Sequence, residues 1–320
     1  MTFTRISVVV PTLDTRALTK ACVEAVLASP LPAGVELEVV VVDDGSRDGT
    51  AESFAASPGV RVVKNEATTG FSRAVNRGVT ASTGDLLVIL NSDATLEPES
   101  LSQVVGAFEA EPSLGIAGAM LRFPDGSPQW SGGREPGLLW LFAQASAFPA
   151  LLGRFPAWRR VKPLHPDSPV DVGWVSGAAM AVRASVWRDL GEFDANYGFY
   201  GQDLDLCLRA RDLGWRVRLL PGFRALHHQG ATISTKGEGA CGDSDLGLLW
   251  SDLVLWAGKR KGPSFAHGAK KALRAGSLLR VAARTLAQPF VAASQRDAWR
   301  RETKTLSAAR AVLGRSPSVR

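Results

Sequence analysis

Three acidic stations lie in order along the chain, each just past an apolar run: Val39–Thr50 (VVVVDDGSRDGT), Leu86–Ala94 (LLVILNSDA) and Phe199–Trp215 (FYGQDLDLCLRARDLGW). Open α/β sheets bind their ligands outside the carboxyl ends of the strands. A carboxylate there can accept a hydrogen bond from a base, another can hold a hard divalent cation, and a third can take a proton from a hydroxyl. Such a set suits transfer from a nucleotide diphosphate donor to a hydroxyl acceptor.

The elements that must carry these stations are legible as a pattern. Strands are expected at Ile6–Val10, Glu36–Val42, Val60–Lys64 and Leu86–Leu90, and helices at Thr15–Ser29, Asp48–Ala56 and Gly70–Ala81. This β-α-β alternation argues for a mostly parallel sheet with helices on both faces. Beyond it the pattern predicts a helix over Glu99–Glu111, a strand over Gly115–Arg122 and a strand over Val172–Val182. A short helix at Ala184–Leu190, a helix over Leu204–Leu213 and a strand Arg216–Leu220 closed by Pro221-Gly222 complete it. Pro124–Pro169 has weak periodicity, and past Asp245 the chain turns helical and rich in Ala, Arg and Leu.

Each station also has a plainer reading. Asp43 or Asp44 can accept from the N3–H of uracil or thymine while Gly45 lets the backbone turn closely, or the turn can simply cap the helix at Asp48. Asp93 can ligate a metal or serve as a helix cap ahead of Pro98. Asp203 and Asp205 can be first-turn acids favoured by the helix dipole, with Arg209 as a local ion-pair partner. A D-x-D-x-T phosphatase does not fit the acidic spacing. Nor is Pro11-Thr12-Leu13-Asp14 the glycine-rich basic loop a nucleotidyltransferase needs.

Taken together, VDDGS-x-D-x-T, the G-x-x-x-x-x-N-x-G run Gly70–Gly78, Asn91-Ser92-Asp93 at the D-x-D position and Gln202-Asp203-Leu204-Asp205-Leu206 resemble the motifs of family 2 inverting glycosyltransferases. The likeness is to the rhamnosyltransferase-like branch, and it runs from about Ile6 to about Ser234. It implies a GT-A fold: α/β, a Rossmann-like, mixed, mostly parallel sheet flanked by helices, with a C-terminal helical extension. The division it implies is a catalytic domain over 1–245 and a basic helical extension over 246–320.

The resemblance also implies roles. Asp203 matches the general base. Asp93, Asn91 and His227 stand where Mg²⁺ or Mn²⁺ is held. Pro11, Thr12, Asp43, Asp44, Arg73, Asn76 and Ser92 fall on the nucleotide side. Trp174, Ser176, Gly177 and Gln202 fall on the acceptor side, where a tryptophan face can pack on a sugar ring. Two positions depart from the pattern, because Asn91 and Gln202 stand where acids are usual, so a non-catalytic nucleotide- or glycan-binding relative is the alternative. The expected reaction moves a sugar from dTDP-rhamnose or a UDP-sugar to a glycan or lipid-linked glycan in cell-envelope polysaccharide synthesis. Nothing in the residues themselves selects rhamnose.

Charge is unevenly divided. From Ser251 to Arg320 there are 15 Lys and Arg against 3 Asp and Glu, whereas the first 250 residues carry 22 against 28. A basic, aromatic-flanked tail seeks phosphate-rich surfaces, which makes an anionic membrane a candidate partner; no nucleic-acid module accompanies it. The N-terminus runs straight into a strand with no signal-peptide core. Leu138–Leu152 is shorter than the ~20 apolar residues of a membrane span and carries Gln144 and Pro149. Cys22, Cys207 and Cys241 are too scattered for a zinc site or disulfide framework. The expected location is the cytoplasm, peripheral at the inner face of the membrane.

Overall fold

β1 (Arg5–Thr12), β2 (Glu36–Asp43), β3 (Val60–Lys64) and β4 (Leu86–Leu90) lie in the order β3-β2-β1-β4, every pair parallel. The computed structural model describes residues 2–146, 166–228 and 245–314. Unbroken valine runs suit strands covered on both faces. Val8, Val10, Val39 and Val41 pack on one side with Cys22, Val23 and Val26 of α1 (Arg16–Leu27). Val9, Val40 and Val42 face the other side with Ala74 of α3 (Phe71–Ala81). Between them α2 (Thr50–Phe54) is a single short turn of helix. Gly78 lets α3 lie close on the sheet, since a Cβ there would fall 2.4 Å from Val9 Cγ1 and 2.6 Å from Val42 Cγ2.

The second half of the sheet is mixed. β5 (Ala94–Leu96) and α4 (Ser100–Ala110) follow β4, and β6 (Leu114–Arg122) enters the sheet next. β7 (Pro128–Gln129) pairs with β6, and β8 (Gly132–Gly133) pairs with β10 (Trp174–Val175) in a separate two-stranded ribbon. β11 (Ala179–Arg183) inserts antiparallel between β4 and β6. β12 (Arg216–His227) runs parallel to β6, and β5 and β9 (Val170–Asp171) pair antiparallel with it. Two helices serve this half, α6 (Ala184–Leu190) and α7 (Gln202–Asp212).

Two sequence expectations are corrected here. The single strand expected over Val172–Val182 is two, β10 and β11, with Ser176–Ala178 as the link between sheets. The stop expected at Pro221-Gly222 is a register shift between Leu220 and Arg224, after which β12 continues to His227. Proline lacks the N–H a ladder needs, so a bulge is one of the few places a strand tolerates it.

By backbone contacts the described residues fall into two compact units. One is drawn from within Met1–Glu135, Val161–Ala195 and Gln202–Asp243, the other from within Pro136–Arg160, Asn196–Gly201 and Ser244–Arg320. In the second unit, α5 (Leu138–Ala145) packs on α9 (Pro263–Ala287), which packs with α8 (Leu246–Lys261) and α10 (Ala293–Gly314). Gly276 of α9 meets α5 closely; a Cβ there would lie 2.4 Å from the carbonyl oxygen of Phe142. Trp250 and Trp256, the tryptophans at the start of the basic tail, are buried in this unit. No helix among the described residues is long and apolar enough to cross a membrane. Of the Leu138–Leu152 segment, residues 147–152 lie outside the described residues, as does Cys241.

Candidate active site

The carboxyl ends of β1, β2 and β4 carry the first set of residues, and most of them turn inward. Asp43 is fully buried. Its Oδ1 accepts the N–H of Ser46 at 2.7 Å and its Oδ2 the N–H of Ala51 at 3.1 Å, so it braces its own turn and the start of α2. Asp44 accepts from the Asn65 amide (2.7 Å), the Thr69 N–H (2.9 Å) and hydroxyl (2.7 Å), and the Gly70 N–H (2.9 Å). Of the two, Asp44 alone keeps any exposure, and its Oδ2 has a single partner among these bonds. Gly45 permits this turn at φ +87°, with the backbone of Ala67 and Thr68 3.0 Å from where a Cβ would sit.

Below this rim lies a hydroxyl cluster that sequence reading missed. Thr12 Oγ1 is 2.7 Å from Thr19 Oγ1 and 3.0 Å from Thr15 Oγ1, which in turn is 3.0 Å from Ser92 Oγ. Thr12 and Ser92 are therefore spent on tying the ends of β1 and β4 together, and Pro11 beside them is buried. Asn76 is spent as well: its amide donates to the Phe193 carbonyl (2.9 Å) and accepts the Phe193 N–H (3.0 Å). Asp43, Thr12, Ser92 and Asn76, expected on the nucleotide side, thus each make internal bonds, as a buried polar group must find a partner inside the fold. Arg73 is exposed on the first turn of α3, with a 3.4 Å bond to the Thr69 carbonyl.

Asn91, Asp93 and His227 do come together. Pairing of β5 with β12 sets His227 opposite Ala94, and the Asp93 carbonyl accepts the His228 N–H at 3.0 Å. His227 Nε2 then lies 3.2 Å from Asp93 Oδ1 and 3.4 Å from Asn91 Nδ2. On its other side Nδ1 is 3.0 Å from Gln129 Oε1 of β7. An amide oxygen only accepts, so Nδ1 donates to Gln129 and Nε2 is the ring nitrogen turned toward Asp93 and Asn91. Asn91 Oδ1 is also buried without a hydrogen-bond partner.

This donor set fits a hard divalent cation. A carboxylate, an amide oxygen and an imidazole are donor types such ions accept, and Nε2 and Oδ1 lie 3.2 Å apart. Among the described residues no group of three or more His, Cys, Asp or Glu could hold a metal.

The third station is held by the link between the two sheets. Asp203, second residue of α7, accepts the Gly177 N–H on Oδ2 (2.9 Å) and the Leu204 N–H on Oδ1 (2.8 Å). The next residue of the link, Ala178, accepts the Asn91 N–H at 2.9 Å, so two consecutive residues anchor the second and third stations. Burial pushes the Asp203 carboxyl above its ordinary range, against the opposing effect of the Gly177, Leu204 and own-backbone hydrogen bonds. Arg209 does not relieve it. That side chain pairs with Asp205 at 2.7 Å and caps the Leu190 and Glu192 carbonyls at the end of α6. A part-buried carboxyl with a raised pKa and no cationic partner among the described residues is equipped to exchange a proton with a hydroxyl.

Of the residues expected on the acceptor side, Gln202 is buried and Ser176 half-buried, with its N–H on the Ser131 carbonyl at 2.8 Å. Trp174 is half-buried, its ring 5.0 Å from that of Trp130 and its indole N–H on the Arg134 carbonyl at 3.1 Å. A Cβ on Gly177 would meet only ordinary contacts, 3.6 Å from Asp203 Cβ. At the opposite rim of the sheet a cavity of about 390 Å³ is lined by the ion pairs Arg5–Glu36 and Arg61–Glu38 and has no comparable donor set.

Residues 7–165 match the family model described as glycosyl transferase family 2. The N-acetylglucosaminyl-diphospho-decaprenol L-rhamnosyltransferase of Mycobacterium tuberculosis is 30% identical over 213 residues, which is 60% of this chain and 67% of that protein. The chain belongs to glycosyl transferase family 2. This family 2 glycosyltransferase is also 29% identical over 187 residues to the pre-mycofactocin glycosyltransferase of M. tuberculosis, covering 58% of this chain and 36% of that one. Among solved structures, a mannosyltransferase from Pyrobaculum calidifontis in complex with GDP-Man and Mn²⁺ superposes with a TM-score of 0.60 at 18% identity, covering 98% of this chain and 86% of that one. GalNAc-T7 with UDP, GalNAc and Mn²⁺ does so with 0.56 at 17% identity, covering 79% and 47%. These likenesses place the family 2 glycosyltransferase among proteins of the GT-A fold.

Proposed function

We propose that this glycosyltransferase moves a sugar, with inversion, from a nucleotide diphosphate donor to a lipid-linked glycan, and that dTDP-rhamnose or a UDP-sugar is the donor. The rhamnosyltransferase relative supports rhamnose and a lipid-linked N-acetylglucosaminyl acceptor. The observation that carries the reading is the meeting of Asn91, Asp93 and His227 at the carboxyl rim, with Asp203 tied to the same link through Gly177. In this reading Asp93, His227 and Asn91 hold Mg²⁺ or Mn²⁺. Such an ion, when bound, supplies positive charge against the diphosphate as the nucleotide leaves. Asp203 accepts the proton of the acceptor hydroxyl as that oxygen attacks the anomeric carbon from the face opposite the nucleotide. Asp44 takes one bond from the base or ribose, and Arg73 swings from α3 toward a phosphate oxygen.

A lipid-linked acceptor calls for a surface that meets the bilayer, and α9 supports one. It holds no acidic residue and five Lys and Arg, and its distal half exposes Leu278 and Leu286, continued by Phe290 at 87% exposure. Apolar side chains beside cations suit shallow insertion at an anionic interface, and in this reading the enzyme works peripherally at the cytoplasmic face.

Calorimetric titration of UDP, dTDP and GDP, each with and without Mn²⁺, tests the donor side. Transfer from the matching nucleotide sugar to N-acetylglucosaminyl-diphospho-decaprenol tests the acceptor side. Metal-dependent binding of dTDP or UDP followed by transfer is the expected result. Binding of none of the three under any condition would overturn the reading.

A further inference from the structure

Asp252 of α8 lies outside the stretch matched by the family model, in the extension that sequence reading treats as an appendage. Its carboxylate is buried, at 4% exposure. Three consecutive backbone amides turn toward it: Gly198 N–H donates to Oδ1 at 2.9 Å, and Phe199 and Tyr200 N–H donate to Oδ2 at 3.0 and 2.8 Å. Burying an ionised carboxylate costs several kcal/mol unless its lone pairs are filled, and here backbone fills them. Burial still pushes the carboxyl up, opposed by those three bonds.

The amides are part of a short stretch that is fastened along its length. A Cβ on Gly198 would sit 2.4 Å from Leu248 Cδ1 of the same helix, so the stretch lies close against α8 there. Gly201 adopts φ +88°, where the Tyr197 ring would be 3.2 Å from a Cβ. Tyr197 is buried, with Lys259 of α8 5.5 Å from its ring centroid. The stretch also carries the half-buried pair Phe199 and Tyr200, rings 5.1 Å apart at 80°. Two residues past Gly201 along the chain stands Asp203.

We infer that Asp252 is a positioning residue: by holding the amides of Gly198–Tyr200 it fixes the segment that leads into α7, and so sets where Asp203 meets the acceptor hydroxyl. The C-terminal helices then take part in catalysis through this clamp. The inference rests on Asp203 acting as base. Shifting a reacting group by about 1 Å can cost on the order of 100-fold in rate, and three backbone bonds are enough to hold or release such a shift.

The test uses the full chain as wild type, Asp252→Asn and Asp252→Ala. Asparagine keeps one acceptor oxygen and the side-chain shape, so it covers the case in which the alanine variant folds poorly. Hydrogen exchange followed by mass spectrometry should show faster exchange confined to the amides of 196–201 in Asp252→Asn. Affinity for dTDP and UDP with Mn²⁺ should stay within about twofold, while kcat over acceptor KM for transfer to N-acetylglucosaminyl-diphospho-decaprenol falls about 10- to 100-fold, more in alanine than in asparagine. Unchanged exchange, unchanged transfer, or nucleotide affinity falling in step with transfer would each overturn the proposal. Should wild type bind no nucleotide, the donor reading fails separately, and the exchange comparison alone then decides whether Asp252 holds the segment.

Discussion

Asp44, at the rim of the parallel half of the sheet, accepts four hydrogen bonds from Asn65, Thr69 and Gly70, whereas Asp203, in the mixed half, accepts two backbone N–H groups and has a raised pKa. Asp93 Oδ1 lies 3.2 Å from His227 Nε2. Carboxylates of the parallel half thus stiffen the loops against which a nucleotide would lie. Asp203, in the mixed half, holds fewer such bonds and a raised pKa. The physical distinction is between a charge already neutralised by local dipoles and one left for substrate, metal or proton to neutralise.

The contrast is broken most severely at Asp203. Asp203→Asn should lower kcat by about 10²- to 10⁴-fold with nucleotide affinity unchanged, read from initial rates and titration. In wild type the alkaline-going rise of kcat over KM should lie above the ordinary carboxylate range. The base works only when deprotonated, and burial has moved its deprotonation to higher pH. A rise at the ordinary carboxylate position would refute that reading.

A smaller effect is expected at Gln129, which no sequence signal marked and whose Oε1 lies 3.0 Å from the far nitrogen of His227. Gln129→Ala should weaken Mn²⁺ binding by about 10- to 100-fold, as loss of a partner behind a ligating histidine does, with thermal stability little changed. Competition between the variant and a fluorescent chelator measures it. The smallest effect on chemistry belongs to the parallel half. Asn76→Ala removes both bonds to Phe193 and should cost about 1–3 kcal/mol of stability, measured by urea unfolding, with dTDP or UDP affinity unchanged. A selective loss of nucleotide binding there would restore Asn76 to the ligand side.

How far these halves could be read in advance differs for the same reason. β3 and β4 fall at Val60–Lys64 and Leu86–Leu90 as the apolar runs predict, because parallel strands buried on both faces leave an unbroken signature. In the mixed half the small-residue run Val172–Val182 hides a change of sheet, since Gly177 and Ala178 carry no periodicity of their own. Pro221 reads as a stop, yet the neighbouring β6 and β5 hold β12 in register past it. Without that continuation His227 would not reach Asp93.

Residue type and spacing alone determined that three acidic stations follow three apolar runs and that positive charge gathers after Ser251, while the resemblance of their motifs pointed to a glycosyltransferase family. Burial and partner choice are decided by residues far apart in the chain, and these only the tertiary structure settled. Asn65 and Thr69 claim Asp44 and Phe193 claims Asn76, while Gln129 orients His227 across 98 positions and Asp252 gathers amides more than 50 positions away. A sequence lists which side chains can bond. Folding decides which are already spent, because every buried polar group must be satisfied by whatever the packed chain brings within about 3 Å.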